Sequence, residues 1–511
     1  MAKSRTENSV KNIKTGLIVQ IVNKVLAFVV RTVFIHFLNS DYLGVNGLFT
    51  NILSILSFAE LGIGTAIIFN MYKPIAENDK EKIKSLMQLY KKSYTVIGIF
   101  IFAAGLLIIP FMDYLITDVP NIKENIIFIY ILFLFDTSCS YFFTYKKSII
   151  TAYQKQSIIN NFDSIFYLLK SILQIILLIL THNYIFYLIT QIICTIVENI
   201  LISIKADKMY PFLKDKNIKK LSKKETSTIF DNVKSLAIYQ FGSVIMNGTD
   251  NIMISALINV KTVGIVSNYT LIITSLKSVL TSGLNGITAS VGNLNATAKP
   301  EKKEDIFYQL LLAYYLIYSF CAIALILLLN NFINIWIGNK YILSTSVAVA
   351  LAISFFIEGI RNPAFIYRTT LGLFEKSKAT PYIGAISNII LSIIFCKLWG
   401  LPGIFIGTSV AQLISYFWID PYLIHRYEFK TPVKKFFAKA TKYFLAFTFE
   451  LIICMLISSL IPAENILSLV CRLLIVLLIP NILNILLFFK SEEFKSLYNR
   501  FVGKKFKLKK A

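Results

Sequence analysis

The sequence is short of acid. Against 52 Lys and Arg stand 28 Asp and Glu, and histidine occurs three times. So few imidazoles leave a His-built metal centre little to draw on. The six cysteines (Cys139, Cys194, Cys321, Cys396, Cys454 and Cys471) show no CxxC spacing and lie in or beside apolar runs. They read as small packing residues rather than as metal ligands or a disulfide framework. No metal and no cofactor is expected. A long hydrophilic stretch is also missing: the longest, Lys205 to Thr228, is a basic linker. Nothing outside the apolar runs can form a soluble domain or carry an extracytoplasmic catalytic surface, so an enzyme is not expected.

Apolar sequence is what the chain has. Of its 511 residues 56% are hydrophobic, and mean hydropathy is +0.66. The apolar residues come in runs of roughly 20, the length of helix that crosses a ~30 Å hydrocarbon layer. They do not alternate as the ~10-residue strands of a membrane barrel would. The reading is an all-α integral membrane protein with about 14 transmembrane helices, on that length rule. The first span is Lys14 to Leu38, the second Tyr42 to Phe69, the seventh Thr228 to Ile258 and the last Ile466 to Phe489. The N-terminus is basic (Lys3, Arg5, Lys11, Lys14) and then apolar. The apolar run carries Lys24 and Arg31 and lacks a small-residue cleavage site, so it reads as a retained helix.

The net charge of +24 sits mostly between the apolar runs. One set of loops holds Lys80, Lys82 and Lys84, then Lys146, Lys147 and Lys155, then Lys208 to Lys224, and further on Arg368, Lys376 and Lys378. The intervening loops hold at most one each, such as Lys123 or Lys261. Lys and Arg resist translocation, so the rich set is cytoplasmic and both chain ends are inside, N-in and C-in. That placement assigns the charge to the membrane surface and anionic lipid, not to nucleic acid.

The two halves of the chain resemble each other. HFLNSDYLGVNGLFTNIL, residues 36–53, is similar to SALINVKTVGIVSNYTLII, residues 255–273, pairing Asn39 with Asn259 and Gly44 with Gly264. Further on Pro74 pairs with Pro300, Lys147 with Arg368 and Lys155 with Lys376, in the same order and at nearly constant offset. The chain reads as two parallel six-helix bundles plus two C-terminal helices. The divisions are a bundle at 1–205, a cytoplasmic linker at 206–227, a second bundle at 228–427, and two helices with a basic tail at 428–511. Parallel repeats of this kind hold a substrate near the midplane and give alternating access by rocking.

The second span carries Phe58-Ala59-Glu60-Leu61-Gly62-Ile63-Gly64 and is followed by MYKP and DKEKI. With the 6+6+2 layout, these segments resemble the polysaccharide-transporter branch of the multidrug/oligosaccharidyl-lipid/polysaccharide exporter superfamily. The resemblance covers essentially the whole chain. It implies a flippase for undecaprenyl-pyrophosphate-linked oligosaccharide units in the cytoplasmic membrane of a bacterium, serving capsule, exopolysaccharide or related polymers. Its implied partners are the polyprenyl-pyrophosphate-linked glycan, membrane lipids, and the glycosyltransferases and polymerase of the same route.

Charges inside a membrane cost about 2.5–3.5 kcal/mol each at a helix centre, so each is a site candidate. Lys24 and Arg31 are seven residues apart and share a helix face. Both can neutralise phosphate oxygens, Arg in bidentate fashion. Arg31 can instead snorkel to the interface and Lys24 can pair with an acid. Lys277 has no nearby acid in sequence. Lys170 has Asp163 two turns before it, and Arg361 has Glu358 at i−3, so an ion pair competes with a cavity role at both. The acids Glu60, Asp136, Glu198, Asp250 and Glu358 are candidate coupling or gating groups, or partners for the bases. Two rival functions remain open. One is a flippase for the lipid-linked peptidoglycan precursor. The other is a drug/cation antiporter of the related exporter branch, against which the cationic first helix argues.

Overall fold

The computed structural model describes residues 5–60, 62–215, 218–461 and 465–500. Lys3, Lys216 and the basic tail from 501 onward lie outside the described residues, as do the side chains of Arg5, Lys11 and Lys14. The chain is all-α, and among the described residues there is no strand. It divides into two compact units, Met1–Ser267 and Asn268–Ala511.

The first unit contains α1 (Arg5–Phe37), α2 (Ser40–Leu56), α3 (Ile63–Ala76), α4 (Lys80–Leu106), α5 (Met112–Leu115) and α6 (Ile126–Thr144). It continues with α7 (Lys147–Ala152), α8 (Gln156–Thr181), α9 (Tyr184–Met209), α10 (Lys223–Gly248), α11 (Asp250–Leu257) and the start of α12 (Val260–Thr297). The second unit takes the rest of α12 and α13 (Pro300–Ile337), α14 (Thr345–Thr370), α15 (Thr380–Trp399), α16 (Leu401–Ile414) and α17 (Tyr416–Ile424). The last helices are α18 (Lys434–Ser459), α19 (Ile466–Phe488) and α20 (Glu492–Tyr498).

Among the described residues, 12 helical stretches are long and apolar enough to cross a membrane. The two other expected spans are broken. Span two divides into α2 and α3 at a 3₁₀ turn, Ser57–Glu60, followed by Gly62 at φ 89°. That backbone state is open to glycine and strained for other L-residues. Span seven divides at Thr249 into α10 and α11. α18 shows why the medium is lipid. Leu445, Phe449, Ile452 and Leu456 form an outward stripe at i, i+4, i+7 and i+11, each at least half exposed. Tyr443, Phe447, Glu450 and Cys454 on the opposite face are buried. An apolar stripe of this length exposed to water would be a liability; in hydrocarbon it is the matching surface.

Local chemistry repeats along with the sequence. The Asn39 side chain accepts from the Asp41 and Tyr42 amides and starts α2. Its counterpart Asn259 accepts from the Thr262 amide at the start of α12, at 2.8 Å. Both are N-caps that satisfy free amide donors of a first helical turn. Lys155 lies 5.7 Å from the Tyr210 ring, and Lys376 lies 5.2 Å from the Tyr427 ring. Pro74 and Pro300 do not correspond in role. Pro300 opens α13, whereas Pro74 sits inside α3.

The paired glycines explain themselves by a crossing within the first unit. A methyl group on Gly44 would lie 2.0 Å from the Val260 carbonyl oxygen. One on Gly264 would lie 1.9 Å from the Ser40 carbonyl oxygen. Each helix thus seats a glycine against the backbone of the other, so α2 and α12 touch without side chains between them. The obstacle is main chain, which cannot swing away. Gly264→Ala should therefore cost about 3 kcal/mol, the upper end for overpacking. Gly292→Ala, whose methyl would meet only Thr370 Cγ2 at 3.7 Å, should be neutral or stabilise by about 0.5–1 kcal/mol through helix propensity. Thermal unfolding of the two purified variants separates these cases; equal midpoints would dismiss the crossing as a constraint. The Gly403 and Gly407 spacing serves close packing in the same way, against Phe395 and Ser392 of α15.

Candidate functional site

Lys24 and Arg31 lie on α1, both half-buried. Among the described residues Lys24 has no hydrogen-bond or ion-pair partner. Arg31 donates from Nη1 to Ser267 Oγ at 2.6 Å, and the Ser267 hydroxyl in turn donates to the Gly264 carbonyl at 2.7 Å. The guanidinium is thereby held to a neutral hydroxyl. Lys24 and Arg31 thus place two cationic groups nearly two turns apart on one helix.

The other bases of the first unit are built into a polar cluster on α6, α7, α8 and α9. Lys147 pairs with Glu198 at 3.0 Å and with Asp163 at 3.4 Å. Asp163 is therefore engaged by Lys147, not by Lys170. Lys170 stands 5.6 Å from the Tyr167 ring, and among the described residues no carboxylate lies within ion-pair distance of it. Asp163, Lys170, Thr195 and Glu198 help line a small cavity of about 130 Å³. Asp136 accepts from the Gln191 amide at 2.9 Å through Oδ2, while its buried Oδ1 has no hydrogen bond. Glu60 is elsewhere, in the 3₁₀ turn. It accepts from the Tyr94 hydroxyl and, at 2.8 Å, from the Tyr141 hydroxyl, and Tyr90 backs Tyr94 at 3.0 Å. A carboxyl held by phenols alone has its acceptors satisfied without a countercharge. Asp250 begins α11, where an acidic side chain complements the helix dipole.

In the second unit Lys277 is ion-paired with Glu358 across α12 and α14. Glu358 is thus engaged by Lys277 and not by Arg361 one turn along. The Arg361 guanidinium lies 4.6 Å from the Tyr416 ring, and its buried Nε has no hydrogen bond. A flat cation on an aromatic face is an ordinary cation–π contact. The structure therefore brings Lys24 and Arg31 together on one helix and Lys170 with Glu198 around one cavity, and it commits Lys277 to Glu358.

Two groups escaped the sequence reading. Arg368, counted there as a loop charge, is fully buried with Asp420 at 3.5 Å and donates to Ser377 Oγ at 3.0 Å. The signal was available, because Arg368 is the repeat partner of Lys147. Lys147 and Glu198 in one unit and Arg368 and Asp420 in the other are the same bridge at nearly the same spacing. Glu450 is the other. It is fully buried on α18 and accepts from Tyr315 at 2.8 Å and from Asn484 at 3.3 Å. An acid inside an apolar run was the clue, and it ties α18 to α13 and α19.

Solved structures place this geometry in context. The inward-closed lipid II flippase MurJ superposes with a TM-score of 0.64 at 16% identity, covering 92% of this chain and 97% of that one. An inward-facing multidrug-resistance MATE transporter of the MOP superfamily gives 0.60 at 15% identity, covering 79% and 97%. The chain has the fold of MurJ and the MATE transporters. It is a multi-pass membrane protein. No family model matches it, and no curated protein matches it by sequence. The likeness is one of architecture.

Proposed function

We propose that the chain is a flippase that moves undecaprenyl-pyrophosphate-linked oligosaccharide units across the bacterial cytoplasmic membrane by alternating access, for surface polysaccharide synthesis. The observation that carries this reading is Lys24, an ammonium in a membrane helix with no partner among the described residues. Such a group is costly unless an anion visits it. Arg31 two turns away adds a second cation, and a pyrophosphate offers two adjacent anionic centres to match. A cation-exporting cavity would call for carboxylates at this position, which disfavours drug/cation antiport. The likeness to MurJ favours, as a second reading, a lipid-linked peptidoglycan precursor as cargo.

Deletion of the gene tests the proposal. Surface glycan should fall and its lipid-linked intermediate should accumulate in the inner leaflet. Normal surface polymers with altered drug sensitivity would overturn it. Accumulation of the peptidoglycan precursor instead would select the second reading. Glycosyltransferases and a polymerase acting on the same lipid-linked unit are the partners this function needs.

A further inference from the structure

A cavity of about 830 Å³ lies in the first unit where α3 ends, α4 begins and α10 begins. Its rim belongs to the loops read as cytoplasmic. The size is within the ~300–1,000 Å³ of small-molecule sites. The local sequence builds it deliberately. Asp79 caps α4 by accepting from the Lys82 amide at 2.9 Å. Ser222 and Glu225 form a capping box that starts α10. Lys82 pairs with Glu225, and with the Ser222 hydroxyl it holds that carboxyl down at about 2. Lys84 reaches Asp215 at 2.8 Å, fixing the linker to α4.

The lining has two features that narrow the ligand. First, Phe69 is 68% exposed and Tyr72 is 45% exposed. Their rings sit edge to face, 6.4 Å apart, on the cavity wall. Second, the charges balance: Lys73, Lys82 and Lys224 face Glu77, Asp79 and Glu225. Lys73 and Glu77 are loosely associated at 3.8 Å, both largely exposed. Lys224 has no partner among the described residues. Asn70 uses its amide nitrogen on the Ala66 carbonyl at 2.7 Å, and its oxygen is left to accept. A pyrophosphate gains nothing on average from a balanced lining. An uncharged, hydroxyl-rich ligand does, because its C–H faces lie on aromatic rings while its hydroxyls bond to carboxylate, amide and ammonium groups in turn.

We infer that this cavity is a glycan subsite, which takes the sugar part of the lipid-linked substrate while the α1 bases take its pyrophosphate. The inference rests on the proposed flippase reading. Division of labour follows from the chemistry. The charged part of the ligand goes to the α1 bases, and the neutral part goes to the balanced, ring-walled cavity. The sugar contact then supplies selection between glycans, which phosphate contacts cannot.

The test uses the purified full-length protein in lipid nanodiscs and two probes, undecaprenyl pyrophosphate and the same lipid carrying a disaccharide. The wild type should bind the disaccharide lipid at least 10-fold more tightly. The Phe69→Ala/Tyr72→Ala variant should bind both probes with the affinity the wild type shows for the bare lipid. Both side chains are exposed, so their truncation opens no core cavity. Lys24→Ala should weaken both probes by the same factor and keep the preference. A variant of Phe69 and Tyr72 that keeps the preference, or that loses both probes together, overturns the subsite; the second outcome would assign the rings to the interfacial belt of the membrane. Equal binding of the two probes by the wild type also overturns it and leaves the flippase reading standing. Binding of neither probe by the wild type removes both.

Discussion

Asp420→Ala should destabilise the protein by about 3–5 kcal/mol, the range for breaking a buried ion pair from one side. The carboxylate and Arg368 are both almost wholly buried. Removing the acid leaves a buried guanidinium that cannot lose its proton and keeps its bond to the neutral Ser377 hydroxyl. The double variant Arg368→Met/Asp420→Leu should recover most of the loss, because apolar replacement of both partners removes the desolvation cost along with the attraction. Thermal unfolding of the single and double variants in detergent measures this directly. If the double variant is as unstable as the single, the bridge is not the source of the effect. The corresponding bridge in the first unit offers an internal comparison. Lys147 and Glu198 are each about a fifth exposed on their side chains, and Lys147 also pairs with Asp163, so Glu198→Ala should cost less, within about 1.5–3 kcal/mol for losing one hydrogen bond to a charged group.

That comparison also shows where sequence reading stops. Span positions followed from hydropathy, since a membrane imposes one length on every helix that crosses it. The repeat was legible because glycine, asparagine and basic residues recur in order. Its physical reasons were not. Nothing in the pairing of Gly44 with Gly264 says that each touches the backbone of the other's helix. Helix breaks were half visible: Gly62 stands out in the segment Phe58 to Gly64, but its left-handed backbone depends on the 3₁₀ turn before it. Ion-pair partners were the hardest part. Sequence spacing offered Arg361 to Glu358 and Lys170 to Asp163, yet the acids are engaged by Lys277 and Lys147 on other helices. An i,i+3 pair contributes only about 0.2–0.5 kcal/mol, so tertiary packing decides the partner. Arg368 was masked by its place at the end of a span, where snorkelling to the surface is the default.

The Lys24→Ala/Arg31→Ala variant should insert normally and lose transport by roughly 100-fold or more, taking about 1.5–3 kcal/mol for each hydrogen bond to a charged group. Insertion should if anything improve, because two costly charges leave a membrane helix. The two positions differ in what they do at rest. Arg31 has the Ser267 hydroxyl, so Arg31→Ala also frees a contact between α1 and the start of α12. Lys24 has no partner to lose, so Lys24→Ala should leave the unfolding midpoint unchanged while transport falls. Lys24→Arg should retain most activity, since charge at that place is what matters, whereas Arg31→Lys should not fully replace a planar fork with a point charge. Transport is read from the lipid-linked glycan reaching the outer leaflet, and folding from the thermal midpoint. A Lys24→Ala protein that unfolds early, with transport lost in proportion, would make Lys24 a structural residue. A double variant with full transport would remove the anion from the proposal altogether.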